Sequence, residues 1–142
     1  MKYLLAILLA FPTTLMALDT CMSGSWYDLK RDGEGINLEV LSKDRAIGYF
    51  YTFGAELGRV WYVMDGDGHD FDLYASVKKS DKPFIADIEP VGAASIKVVD
   101  DNLMIYSFVL DIDVDKPPWC LDGYCSGTYI YDRLTAIVPC TK

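Results

Sequence analysis

The chain has 142 residues, a formal net charge of -8 at pH 7 and a sequence pI of about 4.4. Its 51% hydrophobic content, with ten tyrosines and three tryptophans, excludes an intrinsically disordered chain. The excess of acidic side chains argues against a nucleic-acid-binding protein, because a phosphate backbone would meet a negative surface.

Residues 1–17 have the pattern of a secretory signal peptide. A lysine precedes an unbroken apolar run over residues 3–11, a proline ends that run, and the small residue Ala17 offers a cleavage point. The run is too short to span a bilayer core of about 30 Å. We therefore expect an exported protein, periplasmic or extracellular, with a single β domain over residues 18–142.

All four cysteines follow this segment, and an even number of cysteines in an exported chain predicts disulfide bonds. Three pairings are possible. We expect Cys120–Cys125, which closes a short loop, and Cys21–Cys140, which joins the two ends of the domain. The tetrapeptide that ends at Cys21 also loosely resembles a lipoprotein box, so lipidation there is an alternative.

The body of the chain reads as short β-strands in which apolar and polar side chains alternate. Turn signals rich in glycine and aspartate separate them at intervals of about ten residues, which predicts an antiparallel β-sandwich or a small β-barrel of about eight strands. The predicted strands, in chain order, cover residues 24–28, 36–40, 47–53, 60–64, 71–77, 96–99, 103–110 and 128–134.

Two of these segments carry more specific expectations. The strand over residues 103–110 is apolar on both faces, so we expect it to be central and covered. Residues 79–95 contain Pro83, Pro90 and Gly92, and we expect them to form a long connection between strands.

The stretch GSWYDLKRDGEGINLEVL, followed by AIGYFYTF and GRVWYVMDGDG, resembles a bacterial secreted β-rich module with the pattern G-x-W-Y-[ND]-x-x-R-[SD]-G-E-G. This resemblance implies export and a β architecture, and it implies no reaction. The start Gly24-Ser25-Trp26 is also similar to lipocalin- and avidin-type barrels. Those barrels bring a late basic residue across the tryptophan, a part that Arg133 would take here.

Arg31, Asp32 and Glu34 lie in a loop flanked by glycines. Two carboxylates beside an arginine could supply the acid and the base of a small hydrolase. We favour the simpler interpretation, a tight turn with an internal ion pair. His69 is the only histidine, and no Ser-His-Asp set can be assembled around it. We therefore expect no catalytic residues and no enzyme.

Tyrosine and tryptophan are the unusual feature of the strands, because each has a flat apolar face and a polar tip. On an exposed sheet face such rings suit a sugar or a protein partner, whereas on an inward face they are ordinary core. A small barrel has few inward positions, so some of the rings should be exposed. The candidate binding residues of this type are Trp26, Tyr49, Tyr51 and Trp61.

The segment Asp65-Gly-Asp67-Gly-His69-Asp70-Phe-Asp72 spaces its carboxylates as a calcium loop does, so Asp65, Asp67 and Asp70 are candidate ligands. Counted from Asp65, the EF-hand pattern fails: the sixth position is not glycine and the twelfth is not glutamate. We therefore favour an acidic hairpin turn and expect no cofactor, with calcium as the alternative.

Asp111, Asp113 and Asp115 alternate along one predicted strand face. Three like charges on one face repel, so this face should be solvated or neutralised. An exposed edge protected by charge is the favoured interpretation. A docking face for a basic partner, or a cation site, is the alternative.

The sequence thus predicts an exported, non-catalytic binding module that uses an aromatic-rich β surface to take a protein or glycan partner. The alternative is a periplasmic inhibitor or immunity-type protein whose acidic surface caps a basic toxin or hydrolase. Neither interpretation involves nucleic acid or a membrane span.

Overall fold

The computed structural model describes residues 18–54, 58–78, 86–111 and 125–136. The signal-peptide prediction for residues 1–17 lies outside these residues. Within them, a single turn of 3-10 helix, Thr20–Met22, precedes eight antiparallel β-strands. The strands are β1 (Gly24–Tyr27), β2 (Gly35–Ser42), β3 (Arg45–Gly54), β4 (Gly58–Gly66), β5 (Asp70–Lys78), β6 (Ala86–Asp100), β7 (Leu103–Leu110) and β8 (Ser126–Arg133).

Each strand pairs with its neighbours in sequence, and β1 also pairs with β8 through Trp26 opposite Arg133 and Tyr27 opposite Asp132. The single sheet therefore closes on itself. Of the two predicted architectures, the sandwich and the barrel, the strand order corresponds to a closed barrel.

Alternation along the strands decides which side chains fill the barrel. On β2 the buried side chains are Ile36, Leu38 and Val40, as the sequence pattern predicts. On β4 and β5 alternate side chains are buried in the same way. Their buried residues include Tyr62, Met64, Phe71, Leu73 and Ala75.

The interior is occupied by aromatic rings in contact with one another. Phe50 lies 4.9 Å from Tyr106 between ring centroids, and Tyr106 stacks on Tyr131 at 5.6 Å. Phe108 and Tyr129 continue this packing at 5.6 Å. Filling by side chains is typical of an eight-stranded barrel, whose diameter leaves little more than their volume.

The predicted connection over residues 79–95 is wrong in its second half, because β6 begins at Ala86. Val91 is an extra residue, since Pro90 pairs with Tyr74 while Gly92 pairs with Leu73. This bulge accommodates the two supposed strand breakers. The pairing of β6 with β7 begins at Gly92. Pro90 lies before this point, so the N–H that proline lacks is not needed by the β6–β7 ladder.

The expectation that residues 103–110 are covered on both faces is also wrong. Met104, Tyr106 and Phe108 are buried, but Val109 is 59% exposed. In a single closed sheet the outer face of a strand meets solvent, even where its side chains are apolar.

Trp26 and Arg133 hold the closure of the barrel together. The guanidinium carbon of Arg133 lies 5.2 Å from the Trp26 ring centroid. Its Nη2 donates hydrogen bonds to the backbone oxygens of Cys21 at 2.6 Å and Ser23 at 2.9 Å. The predicted contact between the late arginine and the early tryptophan is therefore confirmed.

Among the described residues the cysteines are Cys21 and Cys125, and neither is a free thiol. Cys120 and Cys140 lie outside those residues, so the pairings Cys21–Cys140 and Cys120–Cys125 stay predictions.

Candidate binding surface

Tyr49, Tyr51 and Trp61 lie together on the outer face of the barrel, and we call these three side chains the aromatic patch. They belong to β3 and β4, where Tyr51 is the direct cross-strand partner of Trp61. The Tyr49 ring centroid lies 6.3 Å from that of Tyr51 and 6.0 Å from that of Trp61. Three of the four predicted aromatic binding residues thus form one cluster.

The local sequence explains why these rings face outward. On β3 the intervening residues Ala46, Phe50 and Thr52 are buried, so the odd-numbered side chains must lie on the other face. The rings of the patch are 41–47% exposed. Exposed apolar side chains that are clustered mark interaction sites more often than those scattered singly.

Trp26, the fourth predicted aromatic binding residue, is not part of this surface. It is 1% exposed, and its Nε1 donates a hydrogen bond to the backbone oxygen of Met22 at 3.2 Å. The prediction that its ring contacts a partner is wrong because Trp26 and Ile36 are paired on the inward face of β1 and β2. Its ring serves the core and the barrel closure.

A groove of about 330 Å³ adjoins the aromatic patch and includes Tyr51 in its wall. Gly35 lies between Tyr27 and Tyr51 across β1, β2 and β3, so no side chain occupies the position between the two tyrosines. A side chain at Gly35 would collide with the backbone oxygen of Trp26. The remaining polar side chains of the wall include Ser25, Asp32 and Asn37.

One side of the groove is the loop before β2, which an ion pair holds in place. Arg31 Nη2 donates a hydrogen bond to Glu34 Oε1 at 2.9 Å, and this raises the pKa of Arg31. The Glu34 side chain is 3% exposed and also accepts a hydrogen bond from Thr52 Oγ1 at 3.0 Å. The guanidinium carbon of Arg31 lies 4.9 Å from the Tyr129 ring centroid.

These contacts confirm the predicted internal ion pair. They also separate the two carboxylates of the alternative hydrolase interpretation, because Asp32 is exposed while Glu34 is buried and faces Arg31 and Thr52. The burial of Glu34 was not predicted, because its partner Thr52 lies on β3, 18 residues away in sequence.

The predicted calcium-ligand residues do not converge. Asp65 pairs with Arg45 across 3.2 Å, and Asp67 Oδ1 accepts backbone hydrogen bonds from His69 and Asp70 at 2.9 and 3.0 Å. These backbone bonds lower the pKa of Asp67. In the described parts of the chain no group of three or more His, Cys, Asp or Glu side chains is placed to hold a metal ion.

Of the predicted acidic face, only Asp111 lies within the described residues. It is exposed and follows directly after the end of β7, and its N–H donates to the backbone oxygen of Val91 at 2.7 Å. Asp113 and Asp115 lie outside the described residues, so a docking face or cation site there stays a prediction.

A second groove, of about 420 Å³, crosses the outer face of β6, β7 and β8 on another side of the barrel. Its wall is built mainly from small side chains. The hydroxyl groups of Ser107 and Thr128 form a hydrogen bond with each other, with 3.0 Å between the oxygens. It offers no exposed aromatic ring comparable to the patch.

The groove residues Tyr27, Gly35 and Asn37 were missed by the sequence analysis. Their signal was present, because Asn37 alternates with the buried Ile36 and Leu38 and so had to face outward. Its nearness to Tyr51 depends on the register of β2 against β3, which the sequence does not display.

Comparison with family models, with curated proteins and with solved structures gave no match. Searching the described residues for a long apolar helix that could cross a membrane also gave none. What the chain does must therefore be inferred from the chemistry of its own surface.

Proposed function

We propose that the chain is an exported, non-catalytic binding module that takes its ligand on the aromatic patch. The observation that carries this proposal is the contact of three exposed aromatic rings on one outer face of the barrel. Aromatic side chains supply large contact areas at a small cost in conformational entropy, which is why they dominate binding hot spots.

The framework beneath the patch supports this use. Tyr49, Tyr51 and Trp61 stand on adjacent strands that pair without a register shift from Ala46 to Gly54. The buried residue Phe50, between the two tyrosines, packs in the barrel interior. Rings held on paired strands are preorganised, so few additional rotatable bonds would lose conformational freedom when a ligand binds.

Export and disulfide bonding belong to the same proposal. Residues 1–17 carry the features of a secretory signal, and the pairings Cys21–Cys140 and Cys120–Cys125 would fix the ends of the barrel after export. We propose the periplasm or the extracellular space as the site of action.

The patch is tested by the double variant Tyr51→Ala/Trp61→Ala, with Ile130→Ala as the matched control. Ile130 is also exposed on the outer face, at 58%, but lies on β8. We expect ligands found on a glycan array or by affinity capture with the wild-type protein to be lost by the double variant and retained by the control. Retention of every ligand by a folded double variant would contradict the proposal.

The acidic balance of the chain supports a second candidate function, an inhibitor or immunity-type protein that caps a basic partner. The net charge of -8 would steer a basic protein toward it and make the association sensitive to salt. Capture of a single basic protein at low salt, in a one-to-one complex that dissociates as the salt concentration is raised, would favour this candidate function over ligand binding at the aromatic patch.

A further inference from the structure

We propose that the groove between Tyr27 and Tyr51 binds one ring of an uncharged saccharide, with the chain of the ligand continuing over the aromatic patch. This inference rests on the proposed function and names the chemical class of its ligand. It adds Tyr27, Asn37 and Asp32 to the binding residues.

The spacing of the two tyrosines carries the first part of the inference. Tyr27, Gly35 and Tyr51 are register partners on three adjacent strands. Two strand spacings separate the tyrosines, which is about 9–10 Å between their backbones. A ring packed on an aromatic face lies about 3.5–4.0 Å from it, so the interval between the two tyrosine backbones has room for one ring.

Gly35 keeps this space open. Its neighbours on both sides carry tyrosines, and at this position the backbone of β1 leaves no room for a side chain. The groove therefore has a tyrosine on each side of a bare backbone floor, with no side chain between them.

The polar side chains of the groove define the chemistry of the ring. Ser25 offers a hydroxyl, Asn37 an amide and Asp32 a carboxylate, so the wall contains both hydrogen-bond donors and acceptors. Sugar hydroxyls are donors and acceptors at once, and their ring C–H groups pack on aromatic faces. A purely apolar ligand would leave these polar groups without partners, which costs binding energy.

Charge in the groove wall argues against acidic sugars. Asp32 and Glu34 are the charged residues in the groove wall, and the Glu34 carboxylate is turned toward Arg31 and Thr52. Asp32, which is exposed, would repel a sulfated, phosphorylated or carboxylated ring.

The same register row extends the site beyond one ring. Tyr51 pairs with Trp61, so aromatic side chains lie along one row from β1 to β4, over roughly three strand spacings or about 14 Å. We therefore expect affinity to rise with the length of an oligosaccharide until this row is covered.

The test measures binding of chitin-, cellulose- and starch-derived oligosaccharides by isothermal titration calorimetry, with a sulfated oligosaccharide and a proline-rich peptide as comparators. The variants are Tyr27→Ala, Asn37→Ala and Trp61→Ala, and Ile130→Ala is the control. We expect a neutral oligosaccharide to bind, with loss of about tenfold or more in affinity for Tyr27→Ala. Tyr27→Phe should keep most of the affinity, because it retains the ring face.

The outcomes separate this inference from the proposed function. If Trp61→Ala weakens binding while Tyr27→Ala and Asn37→Ala do not, the groove inference fails and the patch stands. Preferential binding of the peptide or of the sulfated sugar overturns only the assignment to uncharged saccharides. Failure of every oligosaccharide to bind the wild-type protein overturns the inference, and binding that none of the variants affects overturns both proposals.

Discussion

At the scale of single residues, Arg133 links the two sides of the barrel closure. It joins β8 to the segment before β1 through two backbone oxygens and covers the face of Trp26. A charged hydrogen bond contributes about 1.5–3 kcal/mol, and a cation over an indole about 0.5–2 kcal/mol. These contributions overlap in one side chain and are not additive.

We expect Arg133→Lys to lower the free energy of unfolding by about 1–3 kcal/mol, because an ammonium group lacks the planar fork that reaches two carbonyls while stacking. Urea denaturation of the purified protein measures this change. Arg59→Met is the control, since Arg59 is exposed on β4. Equal midpoints for Arg133→Lys and the wild-type protein would show that the closure does not depend on this arginine.

At the scale of elements, the strands differ in how far their sequences reveal them. Simple alternation identified β2, β4 and β5, because their buried inward residues are hydrophobic and alternate with exposed or half-buried positions. Most of β6 escaped prediction, since Pro90 and Gly92 normally end a strand. Both residues are accommodated in β6 because a bulge lies between them and because Pro90 pairs only with β5. These features depend on the neighbouring strands rather than on the sequence of β6 itself.

In the candidate site, too, some features follow from the local sequence and others depend on how the strands pair. Alternation placed Tyr49, Tyr51 and Trp61 on strands, but whether they face in or out followed only from the barrel register. Trp26, one of the predicted binding residues, lies on the inward face instead. The pairing of Glu34 with Thr52 needed knowledge of two distant segments.

The close approach of β7 to Gly92, beside the bulge, can be tested by substitution. Gly92→Ala should destabilise the barrel by about 1–3 kcal/mol, because the added methyl group would collide with the backbone oxygen of Val109. Ile88→Ala, on the same strand and 64% exposed, should change stability by no more than about 0.5 kcal/mol. Thermal or urea unfolding of both variants measures the difference. If Gly92→Ala were as stable as Ile88→Ala, the close approach of β7 would be refuted.

At the scale of the whole molecule, side chains fill the barrel interior, so we expect a ligand to bind on the outer surface. Tyr62, Tyr106 and Tyr131 are fully buried, and their rings belong to the packed core. Such a barrel holds its outer side chains on a rigid frame. The aromatic patch and its groove use that frame, whereas the lumen is occupied by the protein's own rings.

The buried tyrosines make the stability of the barrel sensitive to alkaline pH. Burial raises the pKa of Tyr62 from 10.0 to about 12, and it also raises the pKa values of Tyr106 and Tyr131. The folded state therefore keeps these hydroxyls protonated when the unfolded chain already ionises them. Their contribution to stability is complete below about pH 10 and is lost as the pH rises toward 12 and beyond.

As far as these groups are concerned, urea midpoints should stay level from about pH 8 to about pH 10 and then fall as the pH is raised further. Tyrosinate absorbance should show Tyr62, Tyr106 and Tyr131 ionising together with unfolding. Replacement of Tyr131 by phenylalanine should shift the fall to higher pH. A midpoint that is unaffected by pH above 10 would mean that these hydroxyls are accessible in the folded barrel.

Mapping a bound ligand by nuclear magnetic resonance tests the outer aromatic surface most directly. The ligand is the neutral oligosaccharide or protein that the wild-type chain selects, added to isotope-labelled protein. We expect the largest shifts at the backbone amides of Tyr49, Tyr51 and Trp61, with none on the outer face of β6 to β8. Shifts confined to β6 to β8, or to the barrel interior, would contradict binding at the patch.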